Sequence, residues 1–149
     1  MRVLTLLGGP RAVDDGAGLS REIRSFNAGV DFRLRFLDIG IEEVVLCDAE
    51  EAGARRRELQ GSDLRILEPA PPLVLAAAIA LRLSQERPDL LVVVGGGERT
   101  EPAVAAATAA GVRLAVYGRE RPSIEGALDL GAEPAPAVER VSGVAREIA

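Results

Sequence analysis

The residues best suited to chemistry lie in two glycine-rich turns. The first reads Gly8-Gly9-Pro10-Arg11 and the second reads Gly95-Gly96-Gly97-Glu98-Arg99-Thr100. Because glycine has no side chain, a ligand can approach the backbone amides closely, and amides at the start of a helix favour an anion. Each turn also carries an arginine, whose guanidinium can hold a phosphate or a carboxylate by two hydrogen bonds. The two turns therefore predict a site for an anionic small molecule.

The predicted ligand-binding residues belong to these two turns and to a third turn after a later strand: Gly8, Gly9, Arg11, Gly95, Gly96, Gly97, Arg99, Thr100, Gly118 and Arg119. The expected ligand is a nucleotide, a sugar nucleotide or another phosphorylated metabolite. A structural alternative stays open, because glycine at a strand-to-helix turn also permits tight geometry without any ligand. Arg119 and Arg121 follow the fifth predicted strand at the edge of the same crevice, and ordinary surface positions explain both arginines about as well as anion binding does.

Histidine and lysine are both missing, and all 18 cationic side chains are arginines. This excludes from the chain a Ser-His-Asp or Cys-His relay, a lysine Schiff base, a Walker lysine and any metal held by histidine. The acidic pair Asp14-Asp15 is interpreted as part of a solvated loop in preference to a magnesium site. No catalytic residue or cofactor is identified, and no metal site is predicted.

Two further residues lie where a predicted strand ends. Cys47 is the only cysteine, so the chain has no internal disulfide, and a small buried core residue is the preferred interpretation over a reactive thiol. Asp48 follows it at the position where a dinucleotide fold places its ribose-binding acid. The first turn lacks the Gly-x-Gly-x-x-Gly pattern of such folds, however, so this role is not favoured.

Composition limits the class of protein. A chain of 149 residues that is 48% apolar and 28% charged predicts one globular domain, residues 1–149. A net charge of −5, with three Phe, one Tyr and no Trp, argues against nucleic acid as a partner, since neither a basic stripe nor a stacking platform is visible. With no long apolar run and no leader at Met1, we expect no membrane span and a soluble, cytoplasmic protein.

Residues 90–94 form the stretch around which the predicted fold is organised. They are five apolar residues without polar alternation, which is typical of a parallel strand covered by helices on both faces. Strands and helices alternate around it, which predicts a doubly wound, Rossmann-like α/β domain with about five parallel strands. Predicted strands span 2–7, 43–47, 63–67, 90–94 and 112–117, and predicted helices span 19–26, 49–60, 73–86, 101–110, 122–130 and 137–148. Residues 27–41 fit a strand or a broken helix, and the broken helix is preferred.

The expected strand order explains why the two glycine-rich turns should act together. In a sheet of order 3-2-1-4-5, the first and fourth strands are neighbours, and the order reverses between them. Ligands of such sheets bind beyond the carboxyl ends of the strands at this reversal point. The turns after residues 7 and 94 should therefore face one crevice.

Three pieces of the sequence resemble a known family. The stretches from Met1 to Gly8, from Arg87 to Gly95 and from Gly111 to Val116 are similar to the N-terminal domain of UDP-N-acetylglucosamine 2-epimerases and related two-domain glycosyltransferases. The resemblance implies a Rossmann-like domain, a sugar nucleotide held together with a second domain, and dimerisation through helices of the N-terminal domain.

The family's functional residues are not matched. Its first turn reads Gly-Thr-Arg-Pro-Glu where this chain has Gly8 to Ala12, and its central strand ends His-Gly-Asp-Thr where this chain has Val94 to Gly97. Its next strand ends His-Val-Glu, at the places of Val116, Tyr117 and Gly118. The triple glycine is also similar to NAD kinases and iron-dependent alcohol dehydrogenases, again without their acidic and basic residues. Epimerase activity is therefore not expected of this chain alone.

A second class of function is association without catalysis, as an interaction domain or as one half of a two-chain enzyme. In the helix predicted from Leu73 to Glu86, large apolar residues point in nearly every direction: Leu73, Val74, Leu75, Ile79, Leu81 and Leu83. A helix that covers a sheet should have a polar outer face. We therefore predict a homodimer that packs this helix against its symmetry mate and that Leu75→Glu separates. The alternative is that the final helix folds over it within one chain.

Overall fold

The computed structural model describes residues 1–7, 41–54, 63–118 and 121–148. In chain order they form β1 (Arg2–Leu7), β2 (Glu42–Cys47), α1 (Ala49–Ala54), β3 (Asp63–Ile66), α2 (Pro72–Glu86), β4 (Leu90–Val94), α3 (Thr100–Ala110), β5 (Arg113–Tyr117), β6 (Leu128–Asp129) and α4 (Pro134–Ile148). The predictions for residues 8–40, which include the first glycine-rich turn and the helix 19–26, lie outside the described residues. The same holds for residues 55–60 of the predicted second helix.

The strands form one sheet of order β3-β2-β1-β4-β5-β6, and every neighbouring pair is parallel. Val3 of β1 is paired with Leu90 of β4, and Leu90 is paired with Arg113 of β5. The doubly wound α/β fold with β4 inside the sheet is thus confirmed, as is the reversal of strand order between β1 and β4. The sheet has one strand more than the five that we predicted, because β6 adds to the edge beyond β5.

The side chains of β4 alternate between two separate apolar cores, one on each face of the sheet. Leu90, Val92 and Val94 pack in the core that contains Ala137, Val138 and Val141 of α4. Leu91 and Val93 pack in the opposite core, with Leu75, Ile79 and Leu83 of α2 and Ala103 of α3. Burial of each such Leu, Ile or Val stabilises the fold by roughly 1.5–3 kcal/mol. Helices therefore cover both faces, and the alternative in which the final helix folds over α2 is wrong, because α4 lies on the other face.

The predicted helix 122–130 is wrong. Residues 121–127 are irregular, with a turn in which the Ala127 amide donates to the Ile124 carbonyl at 3.1 Å, and Gly126 has a φ of 81°. The chain then adds β6 to β5, and the Leu130 amide donates to the Val116 carbonyl at 2.9 Å. Pro122 suits an irregular segment as well as a first helical turn, and Gly126 in a left-handed conformation ends any helix there.

The last helix, α4, begins at Pro134 and not at residue 137. Prolines at 134 and 136 are compatible with a first turn, where no amide donor is needed. Within the described residues, no helix has the length and apolarity that crossing a membrane requires.

An ion-pair network links the carboxyl end of α2 to β1 and β3. The carboxylate of Glu86 accepts hydrogen bonds from Arg2 of β1 and, at 2.8 Å, from Nε of Arg65 of β3. The side chain of Glu86 is only 9% exposed. These bonds, above all the one from Arg2, lower the pKa of Glu86 from its usual value of 4.5. Because the folded state favours the carboxylate, the network stabilises the protein above that pH and loses this contribution as the pH falls.

We expect Glu86→Gln to lower the free energy of unfolding at pH 7 by about 1–3 kcal/mol, because it removes a charged acceptor from two arginines. The difference between wild type and variant should shrink when urea unfolding is measured at a pH well below 4.5, because protonation of Glu86 removes the charge that its two arginines bind. Glu147→Gln is the control. Glu147 pairs with Arg113, and because its side chain is 66% exposed, this pair should contribute less than about 1 kcal/mol to the free energy of unfolding. An equal loss at both pH values would contradict the prediction.

Candidate functional site

The turn between β4 and α3 lies at the carboxyl edge of the sheet, where the strand order reverses. The Gly95 amide donates to the Tyr117 carbonyl at 2.9 Å, and the Thr100 amide donates to the Gly97 carbonyl at 3.2 Å. Of the three glycines only Gly95 has a positive φ, 79°. A side chain at Gly95 would thus be strained, whereas the backbone angles do not require glycine at positions 96 and 97.

A buried ion pair crosses the carboxyl ends of three neighbouring strands. Arg99, which directly precedes α3, is 2% exposed, and its Nη2 donates to Oδ2 of Asp48 at 2.8 Å. Its Nη1 donates to the carbonyl of Leu7 at 3.1 Å. Leu7 ends β1 and Asp48 directly follows β2, so one guanidinium joins the ends of β4, β1 and β2. Sequence reasoning missed this pair, because no local spacing relates an arginine to an aspartate two strands away.

The pair changes what Arg99 and Asp48 can offer to a ligand. The charge of Arg99, a predicted anion-binding residue, is balanced by a carboxylate 2.8 Å away. The carboxylate of Asp48 is likewise paired with the Arg99 guanidinium, so it does not offer a ribose the free carboxylate of a dinucleotide fold. A direct contact of Arg99 with an anion stays a prediction. Cys47, the residue before Asp48, is buried, in agreement with the preferred interpretation of a core residue.

Thr100 is the first residue of α3 and is 9% exposed. It lies three residues before Ala103 and seven before Ala107, so the three side chains share the helix face that packs on the sheet. Thr100 begins the helix directly after the turn that follows β4, so it lies near the carboxyl end of that strand. Its Oγ1 atom has no hydrogen-bond partner within the described part of the chain.

The turn after β5 lies beside Gly95. Gly118 has a φ of 114°, and its amide donates to the Gly131 carbonyl at 2.8 Å. Arg121 donates from Nε to Oδ1 of Asp129 at 2.6 Å and from Nη1 to the Gly118 carbonyl at 2.9 Å. The hydrogen bond from Arg121, followed by the one from the Gly131 amide, lowers the pKa of Asp129. The alternative in which Arg121 is a structural surface residue is therefore the one these contacts favour.

The structure thus brings together six predicted site residues along one edge of the sheet: Gly95, Gly96, Gly97, Arg99, Thr100 and Gly118. The other four, Gly8, Gly9, Arg11 and Arg119, lie outside the described residues. In the described ranges, no group of three or more Cys, Asp or Glu side chains is arranged to hold a metal ion. The described site therefore consists of backbone amides, one hydroxyl and a charge-balanced ion pair.

No protein-family model and no curated protein matches the chain. Among solved structures, the chain is similar to UDP-GlcNAc 2-epimerase from Neisseria meningitidis bound to UDP-GlcNAc, with 19% identity over 78% of this chain and 32% of that one, at a TM-score of 0.50. It is also similar to MurG from Acinetobacter baumannii, with 14% identity over 78% and 33% of the two chains, at a TM-score of 0.54. The chain spans about a third of the length of both.

A de novo designed protein with a P-loop NTPase fold matches over nearly its whole length. It shares 16% identity over 99% of this chain and 93% of its own, at a TM-score of 0.55. At such identities the likeness shows the fold alone. The resemblance of the three strand-centred pieces to the epimerases and glycosyltransferases is confirmed as partial similarity of fold.

The losses from replacing the two partners of the buried ion pair should not be additive. We expect Arg99→Met or Asp48→Leu to lower the free energy of unfolding by about 3–5 kcal/mol, because each leaves an uncompensated buried charge. In the double variant the combined loss should be smaller than the sum by about 2 kcal/mol or more, measured by urea unfolding.

Arg121→Met is the matched control for this cycle. Its partner Asp129 has a side chain that is 64% exposed, so the loss should stay below about 1 kcal/mol. Strictly additive losses for Arg99 and Asp48 would show that the pair has no energetic coupling.

Proposed function

We propose that this chain binds a nucleotide, a sugar nucleotide or another phosphorylated metabolite where the Gly95–Gly97 turn enters α3. The observation that carries the proposal is that Gly96 and Gly97 have no positive φ, so the backbone angles do not account for glycine at either position. Bare backbone at the start of a helix suits a phosphate. The turn also lies at the reversal of strand order, the usual ligand-binding position in such sheets.

The charge of the ligand would be met mainly by backbone amides and by arginines from the neighbouring turns. Arg99 is already neutralised by Asp48. We therefore assign the direct cationic contacts to Arg11 and Arg119, in the turns after β1 and β5. Gly8 and Gly9 would supply further backbone amides from the β1 side of the crevice.

The structural neighbours support the ligand class at the level of fold only. The epimerase structure is described as bound to UDP-GlcNAc, and it is a protein about three times as long as the aligned part. Neither its reaction nor that of MurG is proposed for this chain, since the residues of the family motifs are not matched. The proposal concerns binding at one edge of the sheet.

Thermal-shift measurements with UDP, UDP-sugars, ATP, NAD and inorganic phosphate test the proposal. At 100 times its dissociation constant a ligand should stabilise the protein by about 2.7 kcal/mol. Gly96→Val should abolish the shift, because a β-branched side chain would occupy the space of the anion. Gly53→Val is the control, since a Cβ there meets nothing within 4 Å. If no compound of the panel raises the melting temperature of the wild type, the proposed site is wrong.

A second candidate function is self-association, which the outer face of α2 favours. Leu73 is 87%, Val74 55% and Leu81 58% exposed, whereas Leu75 points into the core at 3%. No charged residue lies between Glu68 and Arg82, in a chain that is 28% charged. Contiguous exposed apolar surface of this kind marks an interaction site. We propose that two copies bury it by packing α2 against its symmetry mate.

Sedimentation at micromolar concentration should show a species of twice 15.6 kDa. The predicted separating change Leu75→Glu is unsuitable, because Leu75 is a core residue and a buried carboxylate would unfold the protein. Leu81→Glu should instead separate the dimer and leave the folded monomer intact. Ile148→Glu, at an exposed apolar position of α4, should have no effect. A monomer of 15.6 kDa at all concentrations would contradict this second proposal.

A further inference from the structure

The side chains around the first turn of α3 carry an unusual balance of charge for a phosphate site. Arg99 and Asp48 neutralise each other in the buried pair. Glu98 and Glu101 flank the turn and are both exposed. The described side chains closest to the start of the helix therefore add negative charge, although the helix dipole favours an anion.

Among the described residues at this turn, Thr100 contributes a buried hydroxyl, which is a neutral donor. Thr100 is 9% exposed, its Oγ1 has no partner within the described ranges, and it begins α3 at the carboxyl edge of the sheet. A buried hydroxyl is normally hydrogen-bonded. A ligand oxygen that enters the crevice and displaces what covers Oγ1 would provide the missing partner.

We propose that the group held at the start of α3 is a singly charged phosphodiester, bound by backbone amides and the Thr100 hydroxyl, and not a terminal phosphate. This inference rests on the proposed function and narrows its ligand class. A terminal phosphate carries about −1.5 to −2 charges at pH 7, and an internal diester carries one. The additional charge of the terminal group is repelled by Glu98 and Glu101. Arg11 and Arg119 alone would have to compensate for it, because Arg99 is already paired with Asp48.

A minimal pair of probes separates the two classes. Uridine 5′-monophosphate and its methyl ester differ by one methyl group and about one charge. We expect the methyl ester to bind the wild type about fivefold more tightly in calorimetric titration, because Glu98 and Glu101 repel the additional charge of the monophosphate through water. The double variant Glu98→Gln/Glu101→Gln should reduce this preference to less than about twofold.

Thr100 is tested with a nearly isosteric change. Thr100→Val should weaken the methyl ester roughly 10- to 100-fold, whereas Thr100→Ser should stay within about threefold of the wild type. Without any ligand, Thr100→Val should melt at or above the wild-type temperature, since no hydrogen bond of the fold is lost. A lower melting temperature would show a structural partner for the hydroxyl and overturn the proposal independently of binding.

The remaining outcomes distinguish this inference from the function on which it rests. If no compound of the thermal-shift panel binds, both fail. If a panel compound binds, three results would each overturn only the phosphodiester inference. In the first, the monophosphate binds as tightly as its ester. In the second, Thr100→Val binds the ester as the wild type does, and in the third, neither uridine probe binds.

Discussion

The buried ion pair between Arg99 and Asp48 holds the carboxyl edge of the sheet together. One guanidinium bonds both the Leu7 carbonyl and the Asp48 carboxylate, so the ends of β1 and β2 are fixed relative to the start of α3. Two charges removed from water at this depth are tolerated when they are paired and hydrogen-bonded, and the loss of either partner would cost several kcal/mol. The turn of Gly95 to Gly97 is thereby held in one position above the sheet.

Much of this fold could be predicted because β4 has a simple pattern. Five apolar residues in a row require cover on both faces, and that requirement implied helices on both sides and a parallel sheet. The segment 122–130 could not be assigned in the same way, since its proline and glycine are compatible with a helix start and with an irregular connection. A two-residue strand such as β6 has no periodicity that a sequence pattern can show.

The candidate site was predicted in its location more than in its contacts. Glycines at strand ends indicate where no side chain covers the backbone amides. The alternation of strands and helices predicted that two such turns face one crevice. The pairing of Arg99 with Asp48 depends on which strands are neighbours, so it becomes visible only in three dimensions. For α2 the difficulty was different. Its apolar residues are distributed all round the helix, so the sequence could not show that Leu75 is buried and Leu81 exposed.

The designed protein of similar fold shows that this sheet and its helices can exist without any evolved activity. The fold therefore says little about function, and a site must be inferred from other features. Two such features are Gly96 and Gly97, whose backbone angles do not require glycine, and the Thr100 hydroxyl, which has no partner within the described residues. Arg99 and Asp48, by contrast, are explained by the structure itself.

The pairing of β1 with β4 has a consequence for chain entropy. Val3 lies beside Leu90, so this pairing closes a much longer stretch of chain than the pairing of β4 with β5 does. By the logarithmic dependence on loop length, closing the chain between these residues costs about 4 kcal/mol. Arg99 bonds Leu7 and Asp48 at the carboxyl end of the same strand pairing, and its bonds help to offset that cost. The crevice proposed to bind a ligand therefore exists only once the longest closure within this sheet is complete.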